Sequence, residues 1–125
     1  MAKYIDGFVL VVPKNKVAVY KKMAREGKKI WKKYGALDYK ECVGNDLHPK
    51  MKPGFKHLIF PKMARAKRNE TVWFSYIVYK SKKHRNEVNA KVMKEMEKST
   101  DKYKNMQMPF DMPRFCYGGF EVVVE

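Results

Sequence analysis

Cysteine is scarce in this sequence: Cys42 and Cys116 are the only two in 125 residues, and both fall in strand-like stretches. There is no Cys-x-x-Cys pair, and His48, His57 and His84 are scattered, so the ligand spacing of a metal site is missing. A disulfide is possible, but the two thiols read as buried and unpaired, and no metal or other cofactor is expected. Long hydrophobic runs are missing too. The longest wholly apolar stretch, Phe8 to Pro13, is far short of the roughly 20 residues of a membrane helix. Met1-Ala2-Lys3-Tyr4 leads into Asp6 without the apolar segment of a secretory signal, so the expectation is a cytoplasmic protein with no membrane partner.

Acidic residues are also few, 13 against 28 basic ones, which gives a net charge of +15. That excess favours polyanions. Yet 23 of the 28 are lysine and 5 are arginine, the residue that phosphate forks and base edges prefer. The lysines are spread along the whole chain, as on a solvated surface. Nucleic-acid binding is therefore expected to be weak and non-specific, with a basic RNA-binding protein kept as an alternative.

What is present reads as one globular α+β domain over residues 1–125. Lys3 to Val12 and Glu70 to Lys80 are predicted strands with two largely apolar faces, the mark of central strands. Leu37 to Val43 alternates as a half-exposed edge strand, and Arg114 to Val124 is the last strand. Within it Gly118-Gly119 signals a bulge or a close backbone approach. Phe55 to Phe60 reads as a short additional strand. Val17, Tyr20, Ala24, Gly27, Trp31 and Tyr34 recur at helical spacing, with Asn15 as N-cap and Gly35 as the stop. A second helix follows Ser81 and turns Arg85, Val88, Asn89, Val92, Met93 and Met96 inward. Thr100 to Pro113, with Met106, Met108 and Met112, reads as an irregular lid.

Strand, helix, strand is thus repeated, which is the ferredoxin-like βαββαβ plan with two helices on one face of an antiparallel sheet. Two helices cover one face only. The other face would carry apolar side chains into water, so a homodimer is expected.

The segments Tyr4-Ile5-Asp6-Gly7-Phe8-Val9, Gly35-Ala36-Leu37-Asp38-Tyr39, Glu41-Cys42-Val43-Gly44, Asn89-Ala90-Lys91-Val92-Met93, Met108-Pro109-Phe110-Asp111 and Tyr117-Gly118-Gly119-Phe120-Glu121 resemble the YbaA-like bacterial family of unknown function. The blocks keep their order over nearly the whole chain, with Tyr76 where the family pattern has Trp. The resemblance implies a dimeric α/β barrel, a superfamily that includes small monooxygenases, dye peroxidases and binding modules. It implies no reaction.

The informative side chains are polar ones on faces that ought to be apolar. Asp6 and Ser75 lie in the central strands, Asn89 on the inward face of the second helix, and Arg114 at the entrance to the last strand. With Trp31, Trp73, Tyr76 and Tyr117 as walls, they outline a small-molecule pocket between sheet and helices. The structural alternative is a satisfied polar network in which Arg85 or Arg114 pairs with Asp6 and Asp111 pairs with Arg114. His84 reads as a surface residue. A cofactor-free monooxygenase- or isomerase-like enzyme is the alternative from superfamily analogy, with no catalytic residue identified. If the lysines are a solvated surface, RNA and DNA of unrelated sequence bind alike in filter binding, and the affinity falls steeply with salt. Tight binding of one RNA at physiological salt, lost on changing a few bases, would contradict that reading.

Overall fold

The computed structural model describes residues 2–98 and 107–125. Four strands, β1 (Tyr4–Pro13), β2 (Asp38–Val43), β3 (Glu70–Tyr79) and β4 (Cys116–Glu121), form one antiparallel sheet in the order β2-β3-β1-β4. The helices α1 (Val17–Lys33) and α3 (Lys82–Lys98) make the two crossovers, and a single turn, α2 (Phe60–Met63), interrupts the long β2–β3 connection. This is the ferredoxin-like α+β fold. The two doubly apolar strands, β1 and β3, are central and pair over ten residues, from Tyr4 opposite Tyr79 to Pro13 opposite Glu70.

Strand alternation sorts the sheet into two faces. Asp6, Phe8, Leu10 and Val12 of β1 and Trp73, Ser75, Ile77 and Tyr79 of β3 point toward the helices. On that side one buried cluster gathers Leu10, Val12, Tyr20, Ala24 and Trp73, and a second gathers Ala36, Ile77, Tyr79, Val88 and Val92. The opposite face is partly covered. The β2–β3 connection brings Ala64, Ala66 and Leu47 over Val11 and Val72, leaving the rest open, with Phe74 48% and Phe120 62% exposed.

The helix ends show which local signals hold. Ser81 caps α3: its Oγ accepts the His84 N–H at 3.1 Å and its carbonyl the Arg85 N–H at 2.9 Å. Gly35, at φ 112°, closes α1 in a Schellman arrangement, with Gly35 N–H on the Lys32 carbonyl and Ala36 N–H on that of Trp31. Asn15 does not cap α1. It sits inside a 3-10 turn, Lys14–Lys16, which enters the helix without any side-chain cap. The expected strand at Phe55 to Phe60 is absent as well: the chain there is irregular until α2, where Pro61 lies in the first turn, a place that needs no N–H. Gly118-Gly119 marks a close approach, since the register through both is unbroken and a Cβ on Gly119 would overlap the Tyr4 ring. Of the Met-rich segment, Met106 and its neighbours from 99 lie outside the described residues, while Met112 opens a 3-10 turn, Met112–Arg114.

Arg114 fastens the start of β3 to the approach to β4. Its guanidinium is bidentate on Glu70, Nη1 to Oε1 at 2.8 Å and Nη2 to Oε2 at 2.7 Å. Nε meets Asp111 at 2.5 Å, as the local-pair alternative expected, and Nη1 also reaches the Arg65 carbonyl. Arg114, hydrogen-bonded to it, holds the Glu70 carboxyl down from its ordinary 4.5 to about 2. A group lowered in the folded state adds stability that is complete above about pH 4.5 and is lost as the pH falls from there toward 2. Arg114→Ala should therefore cost about 3 kcal/mol at neutral pH and flatten the loss of stability across that acid window, as read by urea unfolding at stepped pH.

Candidate functional site

Small or hydrogen-bonding residues stand where the helices cross the sheet. α1 presents Ala24 and Gly27, and α3 presents Asn89, so the helices do not fill the space above β1 and β3. What remains is a cavity of about 720 Å³ that draws Leu10 and Tyr20 from one core cluster and Ile77 from the other. Its walls are flexible or aromatic: Met23, Trp31, Met93, Met96, Phe110 and Phe115 among them. Phe110 stacks on Phe115 at 5.3 Å between ring centroids and meets Tyr20 edge-on at 6.0 Å, so the approach to β4 closes one side.

Two carboxylates stand on the cavity side of the sheet, each dressed by donors. Glu41, on edge strand β2, accepts hydrogen bonds on Oε2 from Tyr20 and Ser75, both at 2.7 Å, and on Oε1 from Tyr39 at 3.2 Å. Burial first, and the nearby Glu41 charge second, push the Tyr20 and Tyr39 hydroxyls far above the usual phenol range. These hydroxyls therefore stay protonated and donate. Asp6, 1% exposed in central β1, takes a charged hydrogen bond from Arg85 Nη1 at 2.9 Å, and the same nitrogen reaches the Tyr117 hydroxyl at 2.9 Å. The Arg85 guanidinium also lies over the Tyr4 ring, 4.9 Å from its centroid. Gly119 leaves the room that this ring occupies.

Asn89 bridges three elements. Its Oδ1 accepts from the Trp31 indole at 3.1 Å and from the Tyr79 hydroxyl at 3.2 Å, tying α1 and β3 to α3. It caps no loop. Burial, followed by the Asp6 charge, raises the Tyr79 hydroxyl well above the ordinary phenol range, so this hydroxyl too is a donor.

The structure brings Asp6, Trp31, Ser75, Asn89 and Tyr117 together around the cavity. The other three candidates stand differently. Trp73 is 3% exposed and packs edge-on against Tyr20 inside the core, its indole nitrogen donating to Thr71. Tyr76 borders the cavity from its place in β3, but alternation sends its ring to the open face beside Phe74, 6.0 Å between centroids. Arg114 is spent on Glu70 and Asp111 and does not meet Asp6, whose partner is Arg85. His84 holds a helix start, accepting the Lys80 N–H on Nδ1 at 3.0 Å. Glu41, Tyr20 and Tyr39 were not among the predicted site residues. The signal for Glu41 was the one used for Asp6, an acid in phase with the apolar side of its strand. Among the described residues no three His, Cys, Asp or Glu side chains are grouped to hold a metal, and no helix is long and apolar enough to cross a membrane.

Comparison with known proteins places the chain beside proteins whose activity is unassigned. Residues 3–112 match the model of the family described as protein of unknown function DUF1428. The uncharacterized protein YbaA of Escherichia coli K12 is 38% identical over 123 residues, covering 98% of each chain, and that of Shigella flexneri matches equally. A solved dimeric ferredoxin-like protein from an uncultured marine organism covers 100% of this chain and 99% of its own, at 10% identity and a TM-score of 0.55. That likeness concerns the fold. Asn89→Ala removes the acceptor of the half-buried Trp31 indole and one acceptor of the buried Tyr79 hydroxyl, so it should destabilise by about 1–3 kcal/mol in urea unfolding. A change under about 0.5 kcal/mol would show that the bridge does not hold the helices.

Proposed function

Since the chain belongs to the DUF1428 family, whose description names no activity, we propose from its own geometry that it is a homodimeric protein binding a small, largely apolar molecule between sheet and helices. The observation that carries this reading is the cavity. At about 720 Å³ it falls within the range of ligand sites, and its walls are mainly apolar with a few convergent polar groups. A space that size inside a 125-residue chain forfeits packing that its core would otherwise have. Methionine and aromatic walls can adjust to an occupant.

The dimer reading rests on the open face. Ile5, Val9, Val78 and Tyr76 lie there half-buried and Phe74 and Phe120 exposed, an apolar surface of the kind that associating proteins cover. The solved protein that shares the fold is described as dimeric. A two-fold partner using the same face would cover both copies at once.

Two measurements test the proposal. Gly27→Leu favours the helix while placing a side chain against the Tyr39 hydroxyl and into the cavity. In a thermal-shift screen of small aromatic and aliphatic compounds, a ligand at a hundred times its Kd should stabilise the parent chain by about 2.7 kcal/mol and leave Gly27→Leu unshifted. Equal shifts in both would place binding elsewhere. Sedimentation at micromolar concentration should give twice the 14.8 kDa chain mass, with Phe74→Lys reduced to the monomer. A monomeric parent would contradict the dimer.

A further inference from the structure

The polar groups of the cavity are not balanced in charge. Three acids border it, Asp6, Glu26 and Glu41, and of these Asp6 is matched by Arg85. Glu41 is matched by hydroxyls alone, those of Tyr20, Tyr39 and Ser75, and forms no ion pair among the described residues. Among the described residues one basic residue borders the cavity, Lys40. Its position in β2 turns its side chain to the open face, where Nζ pairs with Asp38 at 2.9 Å. Among the described residues, a chain of net charge +15 thus turns no cationic head group into this cavity. Those walls supply aromatic rings near the carboxylate: Tyr20 and Tyr39 reach it through their hydroxyls, and Trp31 stands 6.3 Å from Tyr39, centroid to centroid.

We infer that the cavity takes an organic cation, an amine or quaternary ammonium on an apolar body, with Glu41 as its counter-ion. The inference rests on the binding reading above and names its ligand class. Three features select that class. The hydroxyls that solvate Glu41 use their protons on it, so toward the cavity they offer lone pairs, which suit a donor or a cation and repel an anion. Aromatic rings attract a cation over their faces, more strongly when water is excluded. A carboxylate in a mainly apolar cavity attracts an opposite charge more strongly than it would in water. Hydroxyl dipoles lessen the cost of holding the carboxylate there while the site is empty, and leave its charge uncancelled for the occupant.

The test uses benzyltrimethylammonium, its neutral isostere neopentylbenzene, and phenylacetate as the anionic probe, titrated calorimetrically into the full chain. The ammonium should bind at least tenfold more tightly than the neutral isostere, with no detectable heat from the anion. Glu41→Gln keeps the shape and two hydrogen-bonding atoms. It should remove at least tenfold of the ammonium affinity and leave the neutral probe unchanged. If ammonium and isostere bind the parent chain equally, the cation inference is overturned and the cavity reading stands. Binding of neither overturns both. Tighter binding of phenylacetate also overturns the inference. The parent-chain comparison decides even if Glu41→Gln fails to fold, since it needs no variant.

Discussion

A carboxylate in the middle of a central strand has to be matched where it stands, and the Asp6–Arg85 pair does this from a different element. Asp6 is held in β1 by a register of ten residue pairs with β3, so it cannot move to its partner. Arg85 must come to it, which fixes the first turn of α3 over the sheet. Tyr117 from β4 and the Tyr4 ring complete the surroundings of the guanidinium, and Gly119 makes room for that ring. Removing either charge alone would leave the other uncompensated at a site where Asp6 is 1% exposed. The position of α3, and with it the height of the cavity roof, depends on this contact.

Polar ties do much of the work that packing does in a filled core. Trp31 and Tyr79 meet on Asn89, and Lys33 of α1 and Tyr34 just after it meet Glu95 of α3. Directional contacts of this kind fix two helices at a distance without requiring side chains between them. The apolar packing is divided into clusters at either side, and the space between them stays open. On the other face the arrangement is reversed: one end is sealed by the β2–β3 connection over Val11 and Val72, and the remainder stays bare. Cys42, Phe74, Val9 and Cys116 form a row straight across that bare part, one residue from each strand. Both cysteines are free and exposed there, not buried as the sequence suggested, because alternation turns them to the face that no helix covers.

The sheet was legible because β1 and β3 each show two apolar faces, a pattern only central strands satisfy. Helix ends were legible where the signal was backbone-specific, as with Gly35 and Ser81. Asn15 failed because a good capping residue competes with the turn its neighbours form, and Lys14 was already tied to the Asn69 carbonyl. In the site, the signal of an unexpected polar residue pointed to Asp6, Ser75 and Asn89, which border the cavity. It did not tell who their partners were, since pairing depends on which side chains meet across 79 residues, as Asp6 and Arg85 do. Arg114 and Arg85 were equivalent on sequence, and tertiary geometry chose between them. Trp73 lies in the core and the Tyr76 ring on the open face because an aromatic in a central strand serves core, cavity and open face equally well. Glu41 was passed over because an acid on an edge strand looks like solvent exposure until Tyr20 and Ser75 are seen to converge on it.

The central claim, an open cavity roofed by polar ties and bordered by Glu41, is tested most directly by the two indole N–H resonances of the 15N-labelled protein. Trp31 borders the cavity and donates to Asn89, whereas Trp73 lies in the core and donates to Thr71. Titration with a lipophilic ammonium should move the Trp31 resonance in a saturable manner and leave that of Trp73 in place. Movement of neither, or of both together, would contradict the account.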